Sequence, residues 1–260
     1  MTEQILKGKL YFKDKDFKLY LGDCISIMKE ISDGAFDMIF ADPPYFLSNG
    51  GITCNNGQMV SVDKAEWDKN KNIQEVHEFN LLWLTECKRI LKPNGTIWIS
   101  GTFHNIYSIG LTLQQLNYKI LNNVTWFKRN APPNLSCRYF THSTETILWA
   151  KKSTKAKHHF NYELMKEING GKQMRDVWEI PAINKKEKKH GSFPTQKPLS
   201  LLERIVLATT EVGDCILDPF NGSGTTGIAS YKLDRNYVGI DNVEEYLDLT
   251  IRRYNEIKEY

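Results

Sequence analysis

Two short apolar runs in this chain each end in Asp-Pro, and together they constrain the fold more than any other feature. Residues 38–41 lead into Asp42-Pro43-Pro44-Tyr45, and Ile216-Leu217 leads into Asp218-Pro219-Phe220. Proline cannot donate to a sheet ladder, so each run is predicted to be a buried strand that stops at its aspartate. Open α/β sheets place their sites at the carboxyl ends of strands. Each aspartate is therefore predicted to lie at a functional edge of the sheet.

The first of these loops has the groups needed to hold a flat heterocycle by its amino group. The Asp42 carboxylate and a nearby backbone carbonyl can each accept one N–H, and Tyr45 offers a ring for stacking. The two prolines fix the backbone between them. Taken alone, Asp-Pro-Pro is equally typical of a simple turn.

The second loop combines a glycine turn with the start of a helix. Gly222, Gly224 and Gly227 match the spacing G-x-G-x-x-G, and Asp241 follows the next predicted strand. This is the dinucleotide fingerprint, so the loop alone is compatible with an NAD-dependent oxidoreductase or with a plain tight turn. No lysine follows the glycines as in an ATP-binding P-loop.

Asp218 argues against a pyrophosphate at this turn, because a carboxylate repels phosphate and attracts an ammonium group. S-adenosylmethionine carries an α-ammonium and a sulfonium and no phosphate. Asp218 and the turn Gly222–Gly224 therefore suit its methionine end, and Asp241 suits its ribose. Together with Asp42–Tyr45, the pattern predicts methyl transfer to an amino group.

Three motifs in order resemble the β-class amino DNA methyltransferases: Asp42–Tyr45, then Pro194-Thr195-Gln196-Lys197-Pro198, then residues 218–226. The resemblance covers nearly the whole chain. It implies an α/β fold, a circularly permuted Rossmann-like sheet that uses S-adenosylmethionine, with an inserted target-recognition region. On this basis residues 1–150 form the catalytic half, 151–193 the target-recognition region, and 194–260 the cofactor-binding half.

Residues 41–51 and 134–150 look like the adenine methyltransferases of DpnII-type restriction systems, which modify GATC. In the family, Asp at the position of Asp42 goes mostly with adenine N6 and Ser with cytosine N4. The resemblance therefore implies adenine-N6 methylation at GATC as the modification arm of a restriction system. GANTC or cytosine-N4 DNA methylation, and RNA or protein amide substrates, remain as alternatives. Duplex or single-stranded DNA, a homodimer and a partner restriction endonuclease are the implied partners.

The resemblance also assigns the site residues. Asp42 and the Pro43 carbonyl accept the two amino hydrogens of an extruded adenine, and Tyr45 stacks on its ring. Thr195 and Lys197 lie toward the carboxylate of the cofactor, and Asp23 approaches its adenine. The catalytic set is Asp42, Pro43, Pro44 and Tyr45; the cofactor set is Asp23, Cys24, Thr195, Lys197, Asp218, Phe220, Gly222, Ser223, Gly224, Thr225 and Asp241.

Composition limits the other classes of function. The five cysteines are odd in number and lack C-x-x-C spacing, which predicts reduced thiols, a cytoplasmic location and no metal site. The amino terminus lacks the apolar core of a signal peptide, and no apolar run is long enough to span a membrane. Residues 151–198 hold twelve basic and five acidic residues, a net +7 that leaves −4 of the chain's total of +3 elsewhere. Such a segment is typical of a DNA-binding surface or of a solvated lysine-rich loop.

The coarse pattern alternates strands and helices, which predicts a mostly parallel sheet covered on both faces. If the permutation holds, the last two strands insert beside the first two and bring Asp42 and Gly222 together. Residues 46–72 and 128–142 are predicted to be loops near the DNA. Strands are predicted at 17–21, 37–41, 96–101, 120–127, 146–150, 215–218 and 237–240, and helices at 26–30, 77–91, 106–116, 199–210, 226–233 and 244–259.

Overall fold

The computed structural model describes residues 10–45, 52–55, 58–61, 72–183, 185–191 and 193–259. The elements alternate along the chain much as the sequence predicts. In order they are β1 (Leu10–Asp14), β2 (Phe17–Leu21), α1 (Cys24–Glu30), β3 (Phe36–Ala41), β4 (Ile52–Asn55), β5 (Gln58–Ser61), α2 (Ile73–Ile90), β6 (Leu91–Gly101), α3 (Ile106–Gln115), β7 (Lys119–Phe127), β8 (Thr144–Lys151), α4 (Tyr162–Ile168), β9 (Val177–Glu179), α5 (Leu199–Thr209), β10 (Cys215–Asp218), α6 (Thr225–Lys232), β11 (Asn236–Asp241) and α7 (Glu244–Lys258).

The main sheet has nine strands within the described residues, in the order β1-β2-β11-β10-β3-β6-β8-β7-β9. The five strands from β2 to β6 in this order are parallel, whereas β1 and β8 run antiparallel to their neighbours. The predicted insertion is confirmed, because β11 pairs with β2 and β10 pairs with β3. The fold is the expected permuted Rossmann-like α/β sheet.

Side chains along the central strands alternate between two apolar layers. In β3, Ile39 packs into the layer of α1, α2 and α3, while Met38 and Phe40 pack into the layer of α5, α6 and α7. In β10, Leu217 joins the first layer and Ile216 the second. Strands that are buried on both faces read as continuous apolar runs, which is why they were recognisable in the sequence.

Some elements differ from the prediction. The second helix begins at Ile73, four residues before the predicted start, because Asn72 and Glu75 form a capping box there. Strands β1 and β9 and helix α4 were not predicted. The two strands are the outermost of the sheet and α4 is a short helix that packs near α5, and all three carry few buried apolar residues. Apart from the hairpin of β4 and β5, the predicted loop at 46–72 lies almost wholly outside the described residues.

The parallel strands bring the ends of β2, β11, β10 and β3 to one edge of the sheet, called here the catalytic edge. The backbone amide of Gly22, after β2, donates to the carbonyl of Asp241 at 2.8 Å. Asp23, Asp42, Asp218 and Asp241 therefore all lie at this edge. Within the described part of the chain, no helix has the length and apolar character needed to cross a membrane.

The segment 151–193 starts at the opposite edge of the sheet. Lys151 at the end of β8 pairs with Thr96 in the middle of β6, and the Lys152 ammonium donates to the carbonyl of Leu91, the first residue of β6. The chain then passes the end of α5, where the Asn161 amide donates to the Ala208 carbonyl at 2.9 Å. It returns to the catalytic edge only at β9, which pairs in parallel with the last residues of β7.

Candidate active site

One cavity of about 240 Å³ joins the two Asp-Pro loops. It is open at the catalytic edge and extends from the Asp42 loop to the Asp218 loop. Of the residues predicted from the sequence, its walls include Asp23, Cys24, Asp42, Pro43, Pro44, Tyr45, Thr195, Lys197, Asp218, Phe220, Gly222, Ser223, Thr225 and Asp241. The catalytic and cofactor sets, far apart in sequence, therefore form a single site.

The Asp42 carboxylate has a partner on each oxygen. Oδ1 accepts the Tyr45 hydroxyl at 2.6 Å, and Oδ2 accepts the Lys197 ammonium at 2.5 Å. Lys197 also donates to the Tyr45 hydroxyl oxygen at 3.0 Å. All three side chains are buried. The cofactor assignment placed the Lys197 ammonium toward a carboxylate of the cofactor, whereas in the structure it contacts the Asp42 carboxylate.

A further acidic residue, Glu145 on β8, contacts Lys197 at 3.6 Å and is itself paired with Lys128. Burial lowers the pKa of Lys197, but Asp42, Tyr45 and Glu145 outweigh it and the net shift is well upward. Burial raises the pKa of Asp42, and the neighbouring ammonium opposes this rise. The lysine thus remains charged and compensates a carboxylate that has little water around it.

Buried side-chain amides hold the backbone of the same loop. Asn105 Nδ2 donates to the Pro44 carbonyl at 3.0 Å, and Asn105 Oδ1 accepts from Asn80 Nδ2 at 2.7 Å. The Trp83 indole N–H then donates to Asn80 Oδ1 at 3.1 Å. This network fixes the backbone of the loop at Pro44, close to Asp42 and Pro43.

Asp218 is equally buried, but neutral groups satisfy it. Oδ1 accepts the Phe220 amide at 3.0 Å and Oδ2 accepts the Thr226 hydroxyl at 2.6 Å. Burial raises the pKa of Asp218 to about 7, and these two hydrogen bonds only partly oppose the rise. Each carboxylate oxygen has a further lone pair. A cation bound in the cavity would supply the missing compensation.

Asp241 closes the glycine turn from the next strand. Its Oδ2 accepts the Gly222 amide at 2.7 Å and its Oδ1 accepts the Val243 amide at 3.0 Å. Burial raises the pKa of Asp241 to about 6. The carboxylate therefore shapes the loop while it lines the cavity.

Gly224 is the one predicted site residue that does not line the cavity. It precedes α6 with φ +73°, and a Cβ there would lie 2.3 Å from Thr250 Cγ2. Both the positive φ and the close approach of α7 require glycine at this position. Its role is to form the turn, and Gly222 and Ser223 carry the surface that faces the cavity.

Two predicted residues at the end of β2 have local structural roles as well. Asp23 caps α1, with Oδ1 accepting the Ser26 amide at 2.8 Å, and its side chain is exposed at the mouth of the cavity. Cys24 is buried, and burial raises the pKa of its thiol to about 12. The thiol is therefore neutral and packs as an apolar group.

The sequence reasoning missed several residues that build the site. Arg253 on α7 donates to the Ser223 carbonyl at 2.5 Å and to Thr225 Oγ1 at 3.0 Å. Phe193 covers Gly222 and meets Tyr246 edge to face, with ring centroids 4.8 Å apart. Arg253, Glu145 and Asn105 are distant from the motifs in sequence, and nothing in their local pattern marks them. Phe193 directly precedes the motif that begins at Pro194, and this neighbourhood could have identified it from the sequence.

The charges in the cavity wall decide what kind of cofactor fits. Four aspartates, Asp23, Asp42, Asp218 and Asp241, face a single lysine, Lys197. A pyrophosphate would meet net negative charge here, which disfavours an NAD cofactor. A ligand with an ammonium and a sulfonium meets complementary charge.

The sequence model of the DNA methylase family matches residues 36–252 of the chain. The chain belongs to the DNA methylase family. It is accordingly a DNA methyltransferase, and the family uses S-adenosylmethionine as its methyl donor. The match spans both Asp-Pro loops and the strands that position them.

Curated relatives of this DNA methyltransferase match it over nearly their whole length. It is 56% identical to the type II methyltransferase M2.MboI of Moraxella bovis, over 97% of this chain and 93% of the relative. It is 56% identical to the type II methyltransferase M2.DpnII of Streptococcus pneumoniae, over 96% and 93%. Among solved structures, the M1.HpyAVI–SAM complex superposes with a TM-score of 0.67 and 28% identity, covering 91% of this chain and 98% of that one.

Proposed function

We propose that this protein transfers the methyl group of S-adenosylmethionine to N6 of adenine in GATC sites, as the modification enzyme of a restriction system. The observation that carries the proposal is the single cavity in which Asp42–Tyr45 meets the Asp218 loop. The type II methyltransferase names of M2.MboI and M2.DpnII support the restriction context. The specificity for GATC rests on the resemblance of residues 41–51 and 134–150.

The cofactor would lie between the Asp218 loop and Asp241. Asp218 faces its ammonium group, and Asp241 and the Gly222 turn face its ribose. Asp23, near the mouth of the cavity, is placed for its adenine. The bound cofactor supplies an electrophilic methyl group on sulfur. Phe193 and Tyr246 shield that side of the cavity from water.

The substrate base must leave the duplex, because N6 within the base stack cannot meet the methyl group in line. In the cavity, Asp42 Oδ1 and the Pro43 carbonyl accept the two amino hydrogens, which localises the lone pair on N6. The Tyr45 hydroxyl now donates to Asp42 Oδ1, so the amino group replaces it or uses the second lone pair of that oxygen. The Tyr45 ring then stacks on the base, a contact worth about 1–3 kcal/mol.

Asp42 stabilises the positive charge that develops on N6 during transfer. With the cofactor bound, the N6–carbon bond would form as the sulfur–carbon bond breaks, with no covalent enzyme intermediate and with S-adenosylhomocysteine as the leaving group. The extra proton would then pass from N6 to Asp42 or to water. Preorganised charge in a site without water is usually the largest contribution to catalysis. The loop is preorganised here by Lys197 on the carboxylate and by Asn105 on the Pro44 carbonyl.

The loops at the catalytic edge carry exposed aromatic residues suited to nucleic acid. Phe140 is 96% exposed and Tyr139 61%, both in the loop between β7 and β8. Phe103, after β6, stacks on His142 with ring centroids 5.2 Å apart. Exposed rings beside Arg138 fit base stacking and phosphate contact. We assign the DNA-facing surface to this loop together with the return of the chain after β9.

By contrast, the first lysines of segment 151–193 lie at the edge opposite Asp42. We therefore restrict the proposed recognition region to its second part. A duplex bound at the catalytic edge would lie on the far side of the sheet from Lys155 and Lys157.

Replacing Phe140 with alanine should raise KM for DNA about 5- to 10-fold through lost stacking, while Lys155→Ala/Lys157→Ala should leave it unchanged. Equal effects of both changes would contradict this placement.

The decisive test is methyl transfer from labelled S-adenosylmethionine to oligonucleotides, in duplex and single-stranded form. The sets contain GATC, GANTC or neither, and products are digested to nucleosides. N6-methyladenine only in the GATC set, lost with Asp42→Ala, is the expected result. Label in the GANTC set alone would refute GATC as the recognition sequence, and label on cytosine would refute adenine as the target base.

Two partners belong to the same proposal. A cognate endonuclease cutting unmodified GATC would complete the restriction system, and the reaction would take place in the cytoplasm with the host DNA. A homodimer is common in this class. The restriction pairing is tested by expressing the protein in cells and asking whether their plasmid DNA resists GATC-specific cleavage. The homodimer is tested by light scattering of the purified protein.

A further inference from the structure

Glu145 is the second carboxylate in contact with the Lys197 ammonium, at 3.6 Å beside the 2.5 Å contact to Asp42. The side chains of Lys197, Asp42 and Glu145 are only 6%, 12% and 13% exposed. No motif assigned Glu145, which reaches the site from β8. A second buried carboxylate on one ammonium changes how strongly that ammonium acts on its first partner, because charges interact strongly where little water is present.

The pairing of Lys197 with Asp42 creates an electrostatic difficulty for methyl transfer. Positive charge must develop on N6 next to Asp42, yet an ammonium already neutralises that carboxylate. Two cations would then face one anion in a site of low dielectric constant, where their repulsion is strong. A lysine that orients Asp42 would by itself oppose the reaction that Asp42 assists.

Glu145 resolves the difficulty, because it shares the lysine. Lys128 pairs with the other oxygen of Glu145 and extends over the Trp126 ring, 4.5 Å from its centroid, so the four charged groups together are neutral. Glu145 therefore adds no net charge. It places a negative charge on Lys197, the cation that contacts Asp42, and so reduces the opposition of that ammonium to a positive charge on N6. The remaining neighbours, Tyr45 and Ser100, are neutral hydroxyls.

We infer that Glu145 is a positioning residue for the methyl transfer: it shares the Lys197 ammonium with Asp42, so that Asp42 keeps its negative charge available to the adenine amino group. This inference rests on the proposed function. It assigns Lys197 and Glu145 to the transfer step and leaves cofactor binding to the Asp218 loop.

The first test is Glu145→Gln, which keeps the shape and a hydrogen-bond acceptor but removes the charge. The kcat for methylation of a GATC duplex should fall about 10- to 100-fold, with the Kd for S-adenosylmethionine and the KM for DNA nearly unchanged. Glu145→Asp keeps the negative charge, so its kcat should be much closer to the wild-type value than that of Glu145→Gln. Glu203→Gln, which breaks the exposed pair with Lys232, is the matched control and should behave as the wild type.

The second test separates charge sharing from a merely structural role. Lys197→Met alone leaves two buried carboxylates together, so one holds a proton and kcat should rise with pH into the alkaline range. In the double variant Glu145→Gln/Lys197→Met, Asp42 has no charged neighbour on this side, and the pH dependence of kcat should shift back toward neutral pH. The fall in kcat caused by Lys197→Met should also be smaller in the Glu145→Gln background than in the wild-type background. Thermal unfolding of each variant shows that the comparison is made on folded protein.

Two results would overturn the inference. One is a wild-type kcat for Glu145→Gln, and the other is strictly multiplicative losses in the double variant with no change in pH profile. A wild-type protein that binds the cofactor yet methylates no DNA would instead refute the proposed function.

Discussion

Asp42 directly follows β3, and Asp218 is the last residue of the adjacent parallel strand β10. Each aspartate precedes a proline, but their surroundings differ. Asp42 has a permanent cation, the ammonium of Lys197, on one oxygen. Asp218 has only the Thr226 hydroxyl and the Phe220 amide, and burial raises its pKa to about 7. The first carboxylate is compensated within the protein, whereas the second is left for a ligand to compensate. The same local sequence therefore gives a carboxylate with an internal counter-charge after one strand and a carboxylate without one at the end of the next, which supports the catalytic and cation-binding roles proposed for Asp42 and Asp218.

The largest effect that would test this comparison is expected from Asp42→Asn. The amide keeps one acceptor but has no charge to stabilise N6, so kcat should fall about 10²- to 10³-fold. The Kd for S-adenosylmethionine, measured by calorimetry, should stay within a few-fold of the wild type. A large loss of cofactor affinity would show that the two aspartates are not functionally distinct.

The converse change, Asp218→Asn, should act on binding. Removing one partner of a buried charge pair costs about 2 kcal/mol or more, so the Kd for the cofactor should rise about 30-fold or more. At saturating cofactor, kcat should recover most of its value. Calorimetry and initial rates at several cofactor concentrations separate the two effects, and a kcat that stays low at saturation would contradict the assignment.

The raised pKa of Asp218 makes cofactor binding depend on pH. The pKa of Asp218 is higher in the folded protein than in the unfolded chain. Protonation of Asp218 therefore stabilises the ligand-free fold fully at a pH below the unfolded-state pKa, and this stabilisation is lost as the pH rises through about 7. The ionised form binds the cation, so affinity should fall about tenfold from pH 7.5 to pH 6.0. Asp241, with a pKa of about 6, adds to the fall. The increase in Tm on adding S-adenosylmethionine measures it at each pH.

The control for this pH dependence is Asp218→Asn, which should flatten the curve. A wild-type Kd that does not change between the two pH values would mean that Asp218 already has a counter-charge, as Asp42 does. The contrast between the loops would then be lost.

The smallest effect is expected at the support of the catalytic loop. Asn105→Ala removes the donor to the Pro44 carbonyl and one of the two acceptors of the Asn80 amide, which keeps Ser108 Oγ at 3.0 Å. The free energy of unfolding should therefore fall by about 1–3 kcal/mol. The kcat should fall several-fold, because the loop backbone is less well fixed. Asn123→Ala, an exposed asparagine on β7, is the control for urea unfolding, and an equal loss there would remove the special role of Asn105.

The sequence predicted the parts of the fold that depend on local pattern. The buried central strands read as apolar runs, and both Asp-Pro loops were placed correctly at the catalytic edge. The paired insertion of β10 and β11 followed from the family resemblance, because no local pattern encodes which strands pair. The outer strands β1 and β9 and the short helix α4 were not predicted, since few of their side chains are buried.

The site was predictable to the same degree. The predicted site residues line one cavity, except Gly224, which forms the turn, and their assignment to catalysis or to cofactor binding stays a prediction. The Lys197 ammonium contacts Asp42. Glu145, Asn105 and Arg253 could not be found from sequence, because each acts through contacts with residues far away in the chain. Likewise, counting charge over 151–198 could not show that its first lysines lie at the opposite edge of the sheet.

The placement of β10 and β11 between β2 and β3 has a consequence for how the chain is made. Strands β2 and β3 are synthesised early, but they are not neighbours, and the gap between them stays open until residues 215–241 emerge. Their facing edges are unpaired during that time, and unpaired edges invite association with other chains. Sheet closure and assembly of the cofactor pocket are thus the same late, long-range event, and such contacts slow folding. A nascent chain that has already made its catalytic aspartate still has no place to bind the methyl donor.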